Sequence, residues 1–311
     1  MSTAPLVSVV IPSYNHAHFL GEAISSVLAQ EYPRIEVVVV NDGSSDDTAQ
    51  VAARFPEVRY VEQTNRGLAS ARNAGLAVCT GELVVFLDAD DRLLPGALET
   101  GMRAMAAEPA AGFAAGYSRF ISRDGTALPT GQPQRATGED PYVHLLRRNR
   151  IRNPAMVMFR RDVVSRAGGF SAGIDACADY DLYLRISRAW PVVFHDQVVA
   201  DYRKHGGNMS DNSALMLRQL RSVMHRQRPY LVDPARQQAF REGLRNIHSY
   251  YGDRIVMQLR ERVRTGRGWR RTLEDVATLA WCHPSKFVEQ FRRKLEVMSS
   301  RDGTSEPPPA R

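Results

Sequence analysis

Three acids in four positions, Asp88-Ala89-Asp90-Asp91, close the apolar run Leu83-Val84-Val85-Phe86-Leu87. Like charges at such short range raise one another's pKa, so they stay ionised only where something positive holds them. A hard divalent cation with oxygen ligands is the economical partner. The simpler alternative is a solvated acidic turn before a helix starting near Pro95, with Asp91 only capping that helix. The apolar run reads as a strand buried on both faces. In open α/β sheets, ligands gather at the carboxyl ends of such strands. The stretch therefore predicts a metal site on the rim of a parallel sheet.

The elements before it build that rim. Residues 7–11 predict a strand stopped by Pro12 and followed by Ser13-Tyr14-Asn15, then a helix over 19–30. Residues 35–40 predict a second buried strand ending in Asn41-Asp42-Gly43-Ser44-Ser45-Asp46, where Asp46 can cap a helix to about Phe55. A short strand over 58–61, the turn Asn65-Arg66-Gly67 and a helix over 68–78 lead into the acidic strand. Strands joined by crossovers of helical length pair in parallel with right-handed connections, which makes a doubly wound sheet. Topology alone then brings the polar strand ends to one rim.

Beyond this the alternation is less regular. A helix over 95–108, a strand over 112–122 and a polar Gly-, Pro- and Thr-rich loop over 124–140, expected to be mobile, come next. A strand over 155–159, a helix over 178–189 and one or two strands within 192–202 follow. From Ser210 the pattern is helical and Arg-rich, broken near Pro229, Pro234, Gly266-Arg267-Gly268 and Pro284. The last residues, 299–311, are expected to be disordered.

The 311 residues suit one large domain or two smaller ones. The three cysteines, Cys79, Cys177 and Cys282, are too few and too scattered for a disulfide framework or a Cys-rich zinc site. They fit a reducing compartment. No leader-like segment opens the chain, and no run of about 18 apolar residues could span a membrane, so the expected location is cytoplasmic. Charge is uneven: residues 201–311 hold 22 Lys and Arg against 12 Asp and Glu, while residues 1–200 hold 19 against 22. A basic last third can meet nucleic acid, an anionic membrane or an anionic substrate, or be only a solvated helical face. Arg254, Arg260, Arg262, Arg264, Arg267, Arg270 and Arg271 form its densest group. Peripheral contact with the inner face of an anionic membrane, or with a lipid-linked acceptor, is the expectation there; two glycines and Trp269 interrupt a clean amphipathic helix.

Four motifs now carry a family resemblance. They are Val9-Val10-Ile11-Pro12-Ser13-Tyr14-Asn15, Asn41-Asp42-Gly43-Ser44-Ser45-Asp46, Asn65-Arg66-Gly67 with Ala71-Arg72-Asn73, and Leu87-Asp88-Ala89-Asp90-Asp91. In this order and spacing they resemble the family 2 glycosyltransferases. Gly168-Gly169-Phe170, Asp179-Tyr180-Asp181-Leu182-Tyr183-Leu184-Arg185 and Tyr202-Arg203-Lys204-His205-Gly206-Gly207-Asn208 resemble that family's later motifs. The likeness covers roughly residues 6–210. It implies a GT-A fold, an α/β architecture with a mostly parallel central sheet, flanking helices and here a C-terminal helical extension. The implied division is a catalytic domain over 1–210, with a donor half to about 110 and an acceptor half after it. A basic helical region over 211–298 and a tail over 299–311 follow.

The resemblance also implies a nucleotide-sugar donor, a divalent metal (manganese or magnesium), a saccharide or lipid-linked acceptor, and inversion at the anomeric carbon. No nucleic-acid partner is expected. Pro12, Tyr14, Asp42, Arg72, Asp88, Ala89 and Asp90 fall at its nucleotide-sugar positions, with UDP the commonest base. Tyr14 can lay its ring on a base. Asp42 can accept the imide N–H of uracil, or make only an Asx-turn. Arg72 can reach base or phosphate through its planar fork, or sit in a surface ion pair. Asp88 falls near the ribose and Asp90 on the metal, with His205 completing the shell. Asp179 matches the base that deprotonates an acceptor hydroxyl, at a helix start whose dipole favours its ionised form. Asp181 is its alternative. Ala178 stands where an acid commonly precedes the base, and a nucleotide-sugar-binding protein without turnover is the competing expectation. A dinucleotide-binding oxidoreductase is disfavoured, since the first strand leads into Pro-Ser-Tyr-Asn with no Gly-x-Gly-x-x-Gly.

Overall fold

The computed structural model describes residues 4–131, 138, 140–265 and 269–282. The tail over 299–311, Gly266-Arg267-Gly268, Pro284 and most of the segment 132–139 lie outside them.

The first half alternates as its sequence period dictates. Strand β1 (Val7–Ser13) leads to α1 (Ala17–Leu28), β2 (Ile35–Asn41) to α2 (Thr48–Ala52), and β3 (Val58–Glu62) to α3 (Leu68–Val78). Then β4 (Leu83–Phe86) ends at the acidic turn, followed by the two-residue β5 (Arg92–Leu93) and α4 (Ala97–Ala107). The second half holds β6 (Phe113–Ile121), α5 (Pro141–Arg147), β7 (Val157–Arg160), α6 (Arg161–Arg166), α7 (Ala178–Ala189) and β8 (Val192–Arg203). Three helices end the described chain: α8 (Ser213–Arg226), α9 (Pro234–Thr265) and α10 (Trp269–Cys282).

One sheet of order β3-β2-β1-β4-β7-β6-β8-β5 runs through the molecule. β1 pairs in parallel with β2 and β4, and β2 with β3. β7 runs antiparallel to both β4 and β6, while β6 and β8 are parallel. The run 155–159 thus begins as a 3-10 turn over Pro154–Met156 before β7 takes its reversed place. β8 is one continuous strand, with register shifts opposite Ala115, Tyr117 and Ser118. Both sheet faces are apolar, which is why the inner strands show unbroken Val and Ile. Val10, Val38 and Val40 pack with α3, α5, α7 and α9, whereas Val9, Ile11, Val37 and Val39 pack with α1, α2 and α4.

Pro12 does not stop β1; the strand continues to Ser13. Leu87 N donates to Val10 O as the last bond on the β4 side, so Pro12, lacking an N–H, falls just where that neighbour has turned away. Asp46 is not the cap of α2, which is Asp47 and makes no side-chain cap bond, and the helix ends at Ala52 rather than near Phe55; Asp46 acts one residue earlier. It accepts from Thr48 N at 3.2 Å and from Ala17 N at 2.9 Å, fastening the starts of α2 and α1 together.

The C-terminal helices share the main core. Leu220, Val223 and Met224 of α8 and Ala239 and Phe240 of α9 pack in the same cluster as the sheet. A smaller core of Ala214, Leu217, Ile255, Val256 and Leu279 joins α8, α9 and α10. At the α5–α9 crossing, a Cβ on Gly243 would lie 2.0 Å from Leu146 O. In an exposed helix, Gly→Ala stabilises by about 1 kcal/mol. Here contact with fixed backbone reverses the sign. Gly243→Ala is expected to lower stability by about 1–3 kcal/mol, read as a drop in thermal midpoint.

Candidate active site and metal centre

The chain reverses its strand order at β1, with β2 on one side and β4 on the other. Such a switch point opens a crevice at the carboxyl ends. A cleft of 1170 Å³ lies there, lined by Pro12, Tyr14, His16, Asp42, Arg72, Asp88, Ala89, Asp90 and Asp179 among others. Residues from five chain segments therefore meet in one space.

Local backbone sets each of them. Asn15 adopts φ 56°, a left-handed conformation that Asn tolerates better than most residues. Its Oδ1 accepts from Ser45 N at 2.9 Å, and its N–H donates to Ser44 Oγ at 3.0 Å. That bend leaves the Tyr14 ring half exposed on one side and turns His16 towards Asp90 on the other. Asp42 is 3% exposed and accepts from Gln63 Nε2 (2.6 Å), Arg66 N (2.9 Å) and Gly67 N (3.0 Å). It makes no Asx-turn; the neighbouring Asn41 accepts from Ser44 N, three residues on, at 2.9 Å. Gly67 sits at φ 89°, and a Cβ there would meet the Asp175 carboxylate at 2.9 Å. Asp175 in turn accepts from Ala69 N at 2.9 Å at the start of α3.

The three acids after β4 have three different partners. Asp88 pairs with Arg72 Nη2 at 2.6 Å. Arg72 is 3% exposed, so this is a buried pair rather than a surface one, and the guanidinium lies 5.3 Å from the Phe170 ring centre. Burial opposes the Arg72 charge, but Asp88 and Asp179 outweigh it and raise the pKa. Asn73 holds Phe170 in place through a reciprocal pair of 2.8 Å bonds to its backbone. Asp90 Oδ2 lies 2.8 Å from His205 Nε2. Burial would raise the Asp90 pKa, but the His205 hydrogen bond and the nearby His16 charge bring it below its usual value. Asp91 is 1% exposed and caps no helix, since Gly96 occupies that place before α4. It accepts from Arg203 N at 2.9 Å and Asn153 Nδ2 at 2.7 Å. Burial, then the charges of Asp90 and Asp88, push its pKa well up.

His16, Asp90 and His205 present ligand atoms all within 4.8 Å of one another. Imidazole nitrogen with carboxylate oxygen is a donor set for a borderline divalent ion, and it suits manganese better than magnesium, which prefers oxygen. The residues present therefore fit a divalent cofactor.

Asp179 lines the cleft at the start of α7. Its surroundings differ from the sequence expectation: burial raises its pKa, Arg72 pulls it back, and Asp88 raises it again. Desolvation, not the helix dipole, dominates. Asp181 is no alternative base. It is 1% exposed and bound to Arg185 Nε at 2.8 Å and Ser171 Oγ at 2.7 Å. Ala178 is fully buried in the apolar core, so its small side chain completes packing there.

Sequence reasoning missed His16 and Arg203. His16 follows directly on the Tyr14-Asn15 bend, which was its signal. Arg203 is 1% exposed, donating to Asp90 O (2.7 Å), Arg123 O (2.8 Å) and Glu22 (2.5 Å). It fixes the main chain between Asp90 and His205. It also missed the far wall of the cleft, which α8 and α9 supply through Met216, Leu220, Asn246, Tyr250 and Arg254.

Residues 8–168, half of the chain, match the profile of glycosyl transferase family 2. The chain belongs to that family. It is a glycosyltransferase by family, and its His16, Asp90 and His205 could hold a divalent cation. It is 35% identical over 251 residues to the uncharacterized protein MT1568 of Mycobacterium tuberculosis, covering 74% of this chain and 77% of that one. It also matches a chondroitin synthase of Escherichia coli at 28% identity over 214 residues, 68% of this chain but only 30% of the synthase. Two solved structures share the fold of this glycosyltransferase. S. aureus TarS 1–349 in complex with UDP-GlcNAc aligns with TM-score 0.66 at 17% identity, covering 89% of this chain and 80% of that chain. The mannosyltransferase PcManGT of Pyrobaculum calidifontis, in complex with GDP-Man and Mn2+, aligns with TM-score 0.63 at 20% identity, covering 95% and 81%.

Replacing His16 by Ala is expected to weaken Mn2+ binding by about tenfold or more, measured by titration calorimetry, because one of three protein ligands is lost.

Proposed function

We propose that this glycosyltransferase moves a sugar from a nucleoside diphosphate sugar, with UDP the leading candidate, to a hydroxyl of a saccharide or lipid-linked acceptor. The product class is a cell-wall or other polysaccharide, a glycolipid or a related glycoconjugate. The observation that carries the reading is that Tyr14, Asp42, Arg72, Asp88, Asp90 and Asp179 share one cleft. The UDP-GlcNAc of TarS and the GDP-Man of PcManGT agree with a nucleotide sugar on this fold.

In this reading Tyr14 stacks on the base beside Pro12. Asp42 Oδ2 accepts only from Gly67 N, which leaves it a lone pair for the base's imide N–H. Arg72 holds Asp88 in one rotamer, aimed at the ribose, and keeps positive charge under the diphosphate. Ala89 leaves room for the donor to approach the main chain. Asp90, His205 and His16 would hold a divalent cation, which would supply charge neutralisation for a departing diphosphate. Asp179 takes the proton of the attacking acceptor hydroxyl, a general-base role worth about 10²–10⁴ in rate. One in-line displacement of this kind inverts the anomeric centre.

Asp179 must be ionised to act, and burial raises its pKa, so as pH falls it protonates sooner than an ordinary aspartate. The acid limb of kcat/KM is therefore expected at higher pH than an ordinary aspartate would give. Asp179→Asn is expected to cut transfer by about 10²–10⁴ while leaving donor binding intact. Transfer that survives unchanged in Asp179→Asn removes the assigned base. No transfer by the native protein with any UDP-, GDP- or dTDP-sugar, despite nucleotide binding, favours a binding protein.

Among the described residues, no helix is long and apolar enough to cross a membrane. Peripheral contact with the inner membrane face is proposed through α9 and α10, where Met257, Leu273 and Trp281 are exposed. The basic group there is less free than its sequence suggests: Arg262 pairs with Asp275, and Arg264 with Glu261 at 2.6 Å. Arg267 and the side chains of Arg270 and Arg271 lie outside the described residues. Flotation with phosphatidylserine vesicles at low salt is expected to carry the protein upward and to fail at high salt. Absence of flotation at low salt ends the membrane assignment.

A further inference from the structure

The cleft that holds Asp179 and Asp90 also carries cations on its wall. Arg148, Arg152, Lys204 and Arg254 all line it. They come from the segment after α5, the end of β8 and the middle of α9. Arg147 also lines the cleft, but Glu242 neutralises it at 2.6 Å. Against the four cations stand Asp253 on the wall and Asp211 behind it, 3.9 Å from Arg254 Nη2.

Cations stand near the aromatic rings of this cleft, although Tyr250 itself is 56% exposed. Arg152 lies 4.8 Å from the Phe120 ring centre and Lys204 4.3 Å from that of Tyr202. Arg254 lies 5.6 Å from the Tyr250 ring centre and donates to the Tyr250 hydroxyl at 3.2 Å. A neutral sugar is usually gripped by the open face of a ring, supplemented by a few hydrogen bonds. Here each ring also has a cation near it, which the ring quadrupole helps to hold. Their polar contacts are otherwise few: Arg152 donates to Ser118 O at 3.2 Å, Lys204 to Ser210 Oγ at 3.5 Å and Arg254 to Ser213 Oγ at 3.3 Å. Arg148 is exposed. Donors fixed in position with capacity to spare are arranged for anions, because charge-assisted bonds from Arg are strong and directional.

We propose that Arg148, Arg152, Lys204 and Arg254 form a subsite for an anionic saccharide acceptor, one whose repeating units carry carboxylate or phosphodiester groups. This subsite presupposes that the cleft transfers sugars, and it names the acceptor class for that transfer. The negative charges of the acceptor lie on the cations, which places a neighbouring hydroxyl toward Asp179.

The test is calorimetric titration of the full-length protein with three probes: a hyaluronan hexasaccharide, a glycerol phosphate oligomer and maltohexaose. At least one anionic probe is expected to bind about tenfold or more tightly than maltohexaose, and to weaken as salt rises. The tighter of the two tells a carboxylate from a phosphodiester acceptor. Arg148→Gln with Arg152→Gln, and separately Arg254→Gln, are each expected to lose about tenfold in that binding. Arg260→Gln with Arg264→Gln removes as much charge outside the cleft and is expected to change it by less than about twofold. Equal binding of the neutral probe, no binding of either anion, or equal losses in cleft and control variants overturns the subsite. UDP binding with Mn2+ is titrated in parallel. Its failure alongside intact anion recognition would count against the transferase reading and leave the subsite standing. UDP binding without anion recognition does the reverse.

Discussion

Everything in the cleft depends on keeping three carboxylates together at the end of β4. Each has its own answer to the repulsion. Asp88 has the buried guanidinium of Arg72, Asp90 has His205, and Asp91 is pushed towards its neutral form while bound by Arg203 N and Asn153. The partners come from α3, β8 and the segment before β7, so the acidic turn also decides how the two halves of the sheet meet. Removing one partner of a buried charge costs several kcal/mol, so the stability of the turn rests on those distant segments.

The donor half was legible because each of its strands is apolar on both faces and stops at a polar cluster. That pattern permits one topology, and the topology gathers Tyr14, Asp42 and Asp88 without further information. The same logic misjudged Pro12. A proline is excluded only where its nitrogen needs to donate, and β4 has already departed at that point. β7 was visible as an element, but nothing in a short run of Ala, Met, Val and Phe reveals that it points the opposite way. Direction is set by the partner strands β4 and β6, which lie far off in sequence.

The site was partly legible for similar reasons. Carboxylates that end strands announce themselves; residues that work by reaching across the fold do not. His16 and Arg203 belong to the second kind. Asp179 was found, but its environment was misjudged, because a helix dipole is a local property and burial is not. The basic last third was read as a surface for an anionic membrane or lipid-linked acceptor, or as a solvated face, and nothing in the sequence placed Arg254 on the cleft wall. Only the crossing of α9 over α5, as close as Gly243 allows, turns one face of that helix inward.

That crossing has a consequence for how selectivity is partitioned. The rim side of the cleft is made of loops on the sheet, while the opposite bank is a helix that packs through Ala239, Phe240, Ile255 and Val256 and passes close to α5 at Gly243. The two banks are built from separate stretches of polypeptide. If the rim takes the donor and the helix meets the acceptor, as proposed, changes along residues 246–254 would retune what is glycosylated without disturbing what is delivered. A single scaffold of this shape could thus serve many recipients with one kind of activated sugar, simply by exchanging its outer helix.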